Sequence, residues 1–281
     1  MRAKKSLGQN FLVDEAVVAR IVREFEPREG ETVVEIGSGR GALTARLVGE
    51  VGRLVAVEFD RELIPILRGR FGARENFKLV GDDALTTDFC SEIAPAEKAR
   101  VVANLPYNIS TAILQRLIAQ RACLTELVLM MQREVVERVT ATAGSHERGY
   151  LSVLVEAYCE SEALFDVAPG AFRPVPKVWS TVMRLSLRER SAAAVRDETL
   201  LWQIVGAGFA QRRKTILNNL RAAPEHLRSR VERRGGAVAA LEAAGVEPRR
   251  RAETLTLEEW ARLARELDGN VGASAADPDR L

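Results

Sequence analysis

Val33-Val34-Glu35-Ile36-Gly37-Ser38-Gly39-Arg40-Gly41-Ala42-Leu43-Thr44 runs from an apolar strand, through three alternating glycines, into the start of a helix. Glycine is required where a backbone turns sharply and approaches a ligand with no side chain between them. A tight strand-to-helix turn with no ligand would use the same residues, so the flanks must decide. Outward from this loop, strands are predicted at 32–36, 53–58, 77–80, 100–103 and 125–131, with helices at 42–49, 61–69 and 110–120 between them. Apolar strands separated by helices imply a parallel sheet buried on both faces. Upstream, Asp14 caps a helix that carries Val17, Val18, Ile21, Val22 and Phe25 at helical spacing. Downstream, 150–158 reads as a helix and 160–168 and 178–187 as two further strands.

Composition changes near residue 188. Beyond it the chain is rich in Ala, Arg and Glu and contains no strand candidate, and helices are predicted at 197–221, 224–233, 236–244 and 256–267. Thr256 and Glu259 match a capping box ahead of the last. The expected organisation is an α/β domain over 1–187, a helical domain over 188–268 and a flexible tail over 269–281. With 281 residues, 47% of them hydrophobic and 28% charged, the chain can bury a sizeable core. No apolar run is long enough to span a bilayer and no hydrophobic signal segment is visible, so a cytoplasmic protein without a membrane partner is expected. The spacing of Cys90, Cys123 and Cys159 predicts free thiols in a reducing compartment, and two histidines, His146 and His226, exclude a multi-histidine metal centre. No metal is expected.

The flanks of the glycine loop carry chemistry. Its spacing is G-x-G-x-G, whereas a dinucleotide pyrophosphate is held by G-x-G-x-x-G. Glu58 ends the next strand, at the distance expected of a carboxylate that accepts from ribose hydroxyls. Glu35 precedes the loop and can anchor it. Asp82 and Asp83 follow the third strand, where a carboxylate can accept from an adenine amine or cap a short helix. Together these features resemble a site for S-adenosylmethionine more than one for a nicotinamide cofactor. The fourth strand ends in Asn104-Leu105-Pro106-Tyr107-Asn108-Ile109-Ser110-Thr111, which the topology brings to the same crevice. An adenine N6 is a poor nucleophile because its lone pair is delocalised into the ring. Acceptors on its two N–H bonds, from the Asn104 side chain and the Leu105 carbonyl, favour a pyramidal nitrogen, so positioning supplies most of the catalysis. Pro106 stiffens the turn, Tyr107 offers a face on which an extruded base can stack, and Ser110 can cap the next helix. In Ala171-Phe172-Arg173-Pro174-Val175-Pro176-Lys177-Val178-Trp179-Ser180, two prolines keep the chain extended. There Phe172 is either a second aromatic plate or part of the core.

With those residues in view, the sequence resembles the ribosomal RNA adenine N6,N6-dimethyltransferase family over about Lys4 to Leu267. The likeness rests on SLGQNFLVD, VVEIGSGRG, VAVEFD, GDDAL, NLPYNIST, MMQREVVERV, FRPVPKVWS and AQRRKTILNNL, in that order. It implies a Rossmann-like class I methyltransferase fold, with a mostly parallel seven-stranded sheet and a small C-terminal all-helical domain. It implies S-adenosylmethionine as methyl donor and, as substrate, two adjacent adenines in the 3′-terminal hairpin of small-subunit RNA in the assembling 30S particle. Carried onto this chain, cofactor contacts fall on Asn10, Leu12, Gly37, Gly39, Glu58, Asp83 and Asn104. Catalytic and base contacts fall on Asn104, Leu105, Pro106, Tyr107 and Phe172. Asn10 and Leu12 rest on the resemblance alone. Ser38 and Ala210 depart from the common pattern at positions that do not bear on methyl transfer. A resistance-type methyltransferase of large-subunit RNA shares some of these motifs, and a non-catalytic nucleic-acid-binding factor could use the same scaffold. The long C-terminal helices argue against the first, and the intact glycine and Asn104–Tyr107 loops against the second.

The net charge of +2 does not by itself mark an RNA-binding protein. Residues 186–268 hold 16 basic and 12 acidic side chains, a balance of +4. Arg212, Arg213 and Lys214, with Arg221 beyond them, interrupt an apolar helical pattern and are the candidate phosphate contacts. The cluster of Arg228, Arg230, Arg233 and Arg234 reads as a solvated helix face. Arg249, Arg250 and Arg251 form a third cluster, and Arg2, Lys4 and Lys5 a basic arm. A monomer is expected.

Overall fold

The computed structural model describes Lys4 and residues 7–269. In chain order its elements are β1 (Phe11–Leu12), α1 (Glu15–Phe25), β2 (Thr32–Ile36), α2 (Thr44–Leu47), β3 (Arg53–Val57), α3 (Ile64–Phe71), β4 (Phe77–Val80), α4 (Phe89–Ile93), β5 (Ala99–Asn104), α5 (Ser110–Ala119), β6 (Leu124–Gln132) and α6 (Arg133–Val139). They continue with α7 (Tyr150–Tyr158), β7 (Cys159–Val167), β8 (Phe172–Arg173), β9 (Ser180–Leu187), α8 (Glu198–Gly208), α9 (Ile216–Arg221), α10 (Glu225–Arg233), α11 (Ala237–Ala243) and α12 (Leu257–Asp268).

Seven strands form one sheet in the order β4-β3-β2-β5-β6-β9-β7. β2 to β6 are parallel, and β9 and β7 join antiparallel beside β6. β2 lies inside the sheet and all five of its residues are buried, which is why Thr32–Ile36 reads as a nearly unbroken apolar run. β7 is an edge strand, and it exposes Glu160, Glu162 and Asp166 and carries a bulge at Ala163–Phe165, devices that discourage further pairing. Val18, Ile21, Val22 and Phe25 of α1 are buried, and Asp14 caps the helix by accepting from the Ala16 and Val17 amides. They share one apolar core with Leu47, Leu54, Leu67 and Val102. β1 and β8 pair in a separate two-stranded ribbon, Phe11 opposite Arg173 and Leu12 opposite Phe172. Two-residue strands carry too few side chains to show a period, and neither was expected from the sequence.

The chain divides into two compact units, one of residues 1–137 and 158–190, the other of 138–157 and 191–281. The helical unit thus begins close to the expected 187/188 boundary, but it also takes in 138–157, which the sequence reading placed with the sheet. Within that unit the Arg148 guanidinium donates to the Ala141 carbonyl at 3.0 Å and meets Glu156 at 2.5 Å, and the Gly144 amide donates to the Glu253 carbonyl at 2.9 Å. The Gly144–Glu253 contact, more than a hundred residues apart in sequence, has no local signature.

Two further expectations need correction. The helix predicted over 197–221 is two helices, α8 and α9. At Gly208, which ends α8, a Cβ would lie 2.4 Å from the Trp260 ring, and Thr215 then caps α9 by accepting from the Asn218 amide. Cys90 and Cys123, expected as free thiols, form a disulfide that ties α4 to the chain entering β6. Their separation of 33 residues hides Cα atoms only 5.5 Å apart. Cys159 is free and buried, and burial pushes its thiol up to about 12. The capping box of Thr256 and Glu259 is present as expected. Arg2 and Lys5, and 270–281 of the expected tail, lie outside the described residues. No described helix is long and apolar enough to cross a membrane.

Candidate active site

Gly37 follows β2 and Asn104 closes β5, and these strands pair up to Ile36 opposite Ala103. Strand order turns at this point, with β3 and β4 on one side and β5 and β6 on the other. In open α/β sheets, ligands enter the crevice outside the carboxyl ends of the strands at such a switch. A cavity of about 220 Å³ opens there, lined by Asn10, Gly37, Gly39, Glu58, Asp83 and the run Asn104 to Tyr107. Gly37 and Gly39 have φ of 70° and 58°, which glycine adopts without strain. A Cβ on Gly39 would come within 3.3 Å of the Phe11 ring.

The acidic residues divide the work of shaping the loop. Glu35 is buried and accepts from the Thr44 hydroxyl at 2.6 Å, anchoring the start of α2 to β2. Burial pushes its carboxyl up to about 7 against the pull of that hydrogen bond. Glu58 accepts from the Gly39 amide at 2.8 Å through one oxygen and from the Asp60 amide at 2.9 Å through the other. Its carboxyl is raised by burial, with both amides opposing the shift. Asp83 accepts from the Leu85 amide at 2.9 Å while lining the cavity, so it caps a turn and also faces the space where a ligand would lie. The described lining residues include four acids, Glu58, Asp60, Asp82 and Asp83, and no Lys or Arg. No group of three or more His, Cys, Asp or Glu among the described residues could hold a metal ion.

On the opposite wall, the Asn104 amide nitrogen donates to the Asn10 carbonyl at 3.2 Å. That bond takes one of the two N–H donors and fixes the orientation of the amide, whose oxygen is its acceptor. The Leu105 amide donates to the Met130 carbonyl at 3.1 Å, which fixes the peptide after β5 to β6. Tyr107 is half-buried, its phenol raised by burial, and its oxygen lies 2.7 Å from the Ser180 hydroxyl. Ser110 is the first residue of α5 and not its cap, and its hydroxyl reaches back to the Tyr107 carbonyl at 3.4 Å.

Two expected site residues do not face the cavity. Leu12 belongs to the core, because successive strand residues point to opposite sides and its neighbour Phe11 takes the cavity side. Phe172 pairs with Leu12 across the ribbon and is fully buried in the same core. The exposed aromatic of that segment is Trp179. Sequence reasoning also missed Phe59, which is 57% exposed on the cavity wall, and Asp60, which is buried. Asp60 receives the Lys4 ammonium at 2.7 Å and the Gln9 amide at 2.7 Å. Burial raises its carboxyl, but these donors hold it below the usual range. The signal was present in Val-Glu-Phe-Asp, where only the glutamate was read.

In the helical unit, Arg212, Arg213, Lys214 and Arg221 are all exposed, and among the described residues none of the four forms an ion pair. Arg212 donates to the His146 carbonyl. The second cluster is largely paired internally, Arg228 with Glu225, Arg230 with Asp268 and Arg234 with Glu266. In the third, Arg250 makes a two-pronged contact with Glu259.

The profile of the family described as ribosomal RNA adenine dimethylase matches residues 1–268. The chain belongs to that family. Among its relatives, the ribosomal RNA small subunit methyltransferase A of Pseudomonas aeruginosa is 43% identical over 266 residues, 95% of each chain. The protein of the same name from Moorella thermoacetica is 43% identical, over 94% of this chain and 92% of its own. A solved dimethyladenosine transferase from Plasmodium falciparum superposes on this adenine dimethylase with a TM-score of 0.77 at 22% identity, covering 92% of this chain and 98% of that one. At that identity the likeness is one of fold. The 23S rRNA methyltransferase ErmE superposes with a TM-score of 0.66 at 29% identity, covering 92% of this chain and all of its own. The fold of this adenine dimethylase is thus the Rossmann-like class I methyltransferase fold.

Proposed function

We propose that this adenine dimethylase transfers methyl groups from S-adenosylmethionine to N6 of two adjacent adenines in the 3′-terminal hairpin of small-subunit ribosomal RNA. It acts as a monomer on the assembling 30S particle in the cytoplasm. The observation that carries the chemistry is a cavity at the switch point whose described lining includes four acids and no Lys or Arg, with the glycine loop on one wall and the Asn104 loop on the other. Such a lining suits a sulfonium cofactor with an α-amino group and disfavours a pyrophosphate.

When bound, S-adenosylmethionine supplies an electrophilic methyl group on a sulfonium. Glu58 accepts from the ribose hydroxyls, Asp83 from the adenine amine of the cofactor, and Asn10, Gly37 and Gly39 form the backbone wall. The Asn104 oxygen and the Leu105 carbonyl accept from the target amino group and direct its lone pair, while Pro106 keeps the loop stiff. Stacking of the extruded base falls to Tyr107, because Phe172 is in the core. Arg212, Arg213, Lys214 and Arg221 hold RNA phosphates. Relatives named for the small subunit, at 43% identity over nearly the whole chain, support that substrate.

Nucleoside mass spectrometry of small subunits lacking the modification, after incubation with protein and S-adenosylmethionine, tests the proposal. N6,N6-dimethyladenosine is expected. Methylation of large-subunit RNA alone would assign the chain to the ErmE type, and subunit binding with no methylation would make it a binding factor.

A further inference from the structure

Tyr107 is held at both ends. Its main chain lies in a turn where the Ile109 amide donates to the Pro106 carbonyl at 3.2 Å. At the far end of the ring, the phenolic oxygen is 2.7 Å from the Ser180 hydroxyl, and Ser180 has no solvent exposure. Ser180 opens β9, opposite Gln132 of β6 and Val167 of β7. Strands on both sides fix its backbone, whereas Tyr107 belongs to a loop. A hydrogen bond from that loop into the sheet interior gives the ring a fixed reference outside its own segment. The phenol is raised by burial, so at neutral pH the contact joins two uncharged hydroxyls.

We propose that Ser180 is a positioning residue for methyl transfer: through the Tyr107 hydroxyl it sets the plane of the ring on which the target base lies, without touching the base. The proposal rests on Tyr107 being that stacking surface. In-line transfer tolerates little angular error, and a ring free to tilt carries the stacked base, and with it N6, away from the line of attack. Removing the Ser180 hydroxyl leaves a half-buried phenolic oxygen without its partner, and the ring then gains by turning toward water. Phe172 was the residue of FRPVPKVWS expected to act on the base. The structure gives the segment a different part, which is to deliver Ser180 to the start of β9.

A double-mutant cycle tests this. Wild type, Ser180→Ala, Tyr107→Phe and the combined variant are assayed for turnover on unmodified small subunits, with S-adenosylmethionine affinity measured by calorimetry. Ser180→Ala is expected to lower kcat roughly tenfold with cofactor affinity unchanged. Tyr107→Phe removes the other half of the same contact and should cost a similar factor. The combined variant should be no slower than either single one. It leaves neither hydroxyl stranded, so it provides a reading even if Ser180→Ala folds poorly. Full turnover in Ser180→Ala, or factors that multiply in the combined variant, would overturn the positioning role while leaving the transferase reading intact. A wild type that methylates nothing would overturn both.

Discussion

Replacing Glu35 with Gln isolates the most strongly displaced carboxyl of the glycine-loop region. Glu35 is enclosed in the interior strand β2, and burial pushes it from an ordinary 4.5 up to about 7, with the Thr44 hydroxyl as its directed partner. A carboxyl raised in the folded state keeps a proton that the unfolded chain has lost. Its stabilising effect is therefore complete below about pH 4.5 and is lost as pH rises through about 7. A gap of about 2.5 pH units corresponds to about 3 kcal/mol of stability removed by alkaline pH, at roughly 1.4 kcal/mol per unit. At about pH 5.5 near one unit of that gap has already been lost, so about 2 kcal/mol remains to be lost by about pH 8.5. Gln has the same shape, still accepts from Thr44 and does not ionise. Thermal melts at the two pH values should therefore show Glu35→Gln gaining about 4–8 °C on wild type between the acid and alkaline conditions. Groups that do not interact with Glu35 titrate alike in both proteins and cancel in the difference. An equal offset at both pH values would mean that Glu35 does not titrate between them, and a variant that loses ground at alkaline pH would reverse the assigned sign.

Three further outcomes follow from the geometry. Asn104→Ala removes the oriented acceptor and should lower methyl transfer about 100-fold or more, with cofactor affinity measured by calorimetry partly kept; unchanged turnover would sink the proposed role. Changing Arg212 and Arg213 together to Ala should weaken subunit binding and reduce the magnitude of the log–log salt slope by roughly 1.5 to 2, as filter binding across a salt series would show. Cys90→Ser opens the loop closed with Cys123 and should cost roughly 3 to 4 kcal/mol in denaturant melts, and the reduced wild type should match the variant.

The inner strands of the parallel half were legible because they are buried on both faces, so that Val33-Val34 and Leu54-Val55-Ala56-Val57 leave little room for any other reading. The cavity lining was legible where glycines and polar residues gather just past the carboxyl ends of successive strands. Gly37, Gly39, Glu58, Asp83 and Asn104 to Tyr107 all line the cavity. What failed depends on direction or on long-range contact. Leu12 and Phe172 are motif residues whose side chains turn into the core, and a motif does not state which way a side chain points. Asp60 was passed over because its partners, Lys4 and Gln9, are more than fifty residues away. The disulfide and the grouping of 138–157 with the helical unit fail for the same reason.

The position of β9 imposes an order on synthesis. It is the last strand of the sheet to be made, yet it lies inside, between β6 and β7. A growing chain that has emerged as far as Val167 has β7 available but nothing to join it to β6, and β6 presents an open edge. The ribbon partner of β1 is likewise delayed until Arg173, so the segment carrying Asn10 and Phe11 lacks its strand partner until then. Residues 172–187 therefore complete the N-terminal ribbon and then close the sheet, when about two-thirds of the 281 residues exist. A ribosome stalled earlier would hold a chain with an uncapped strand, a substrate for chaperones and not yet a methyltransferase.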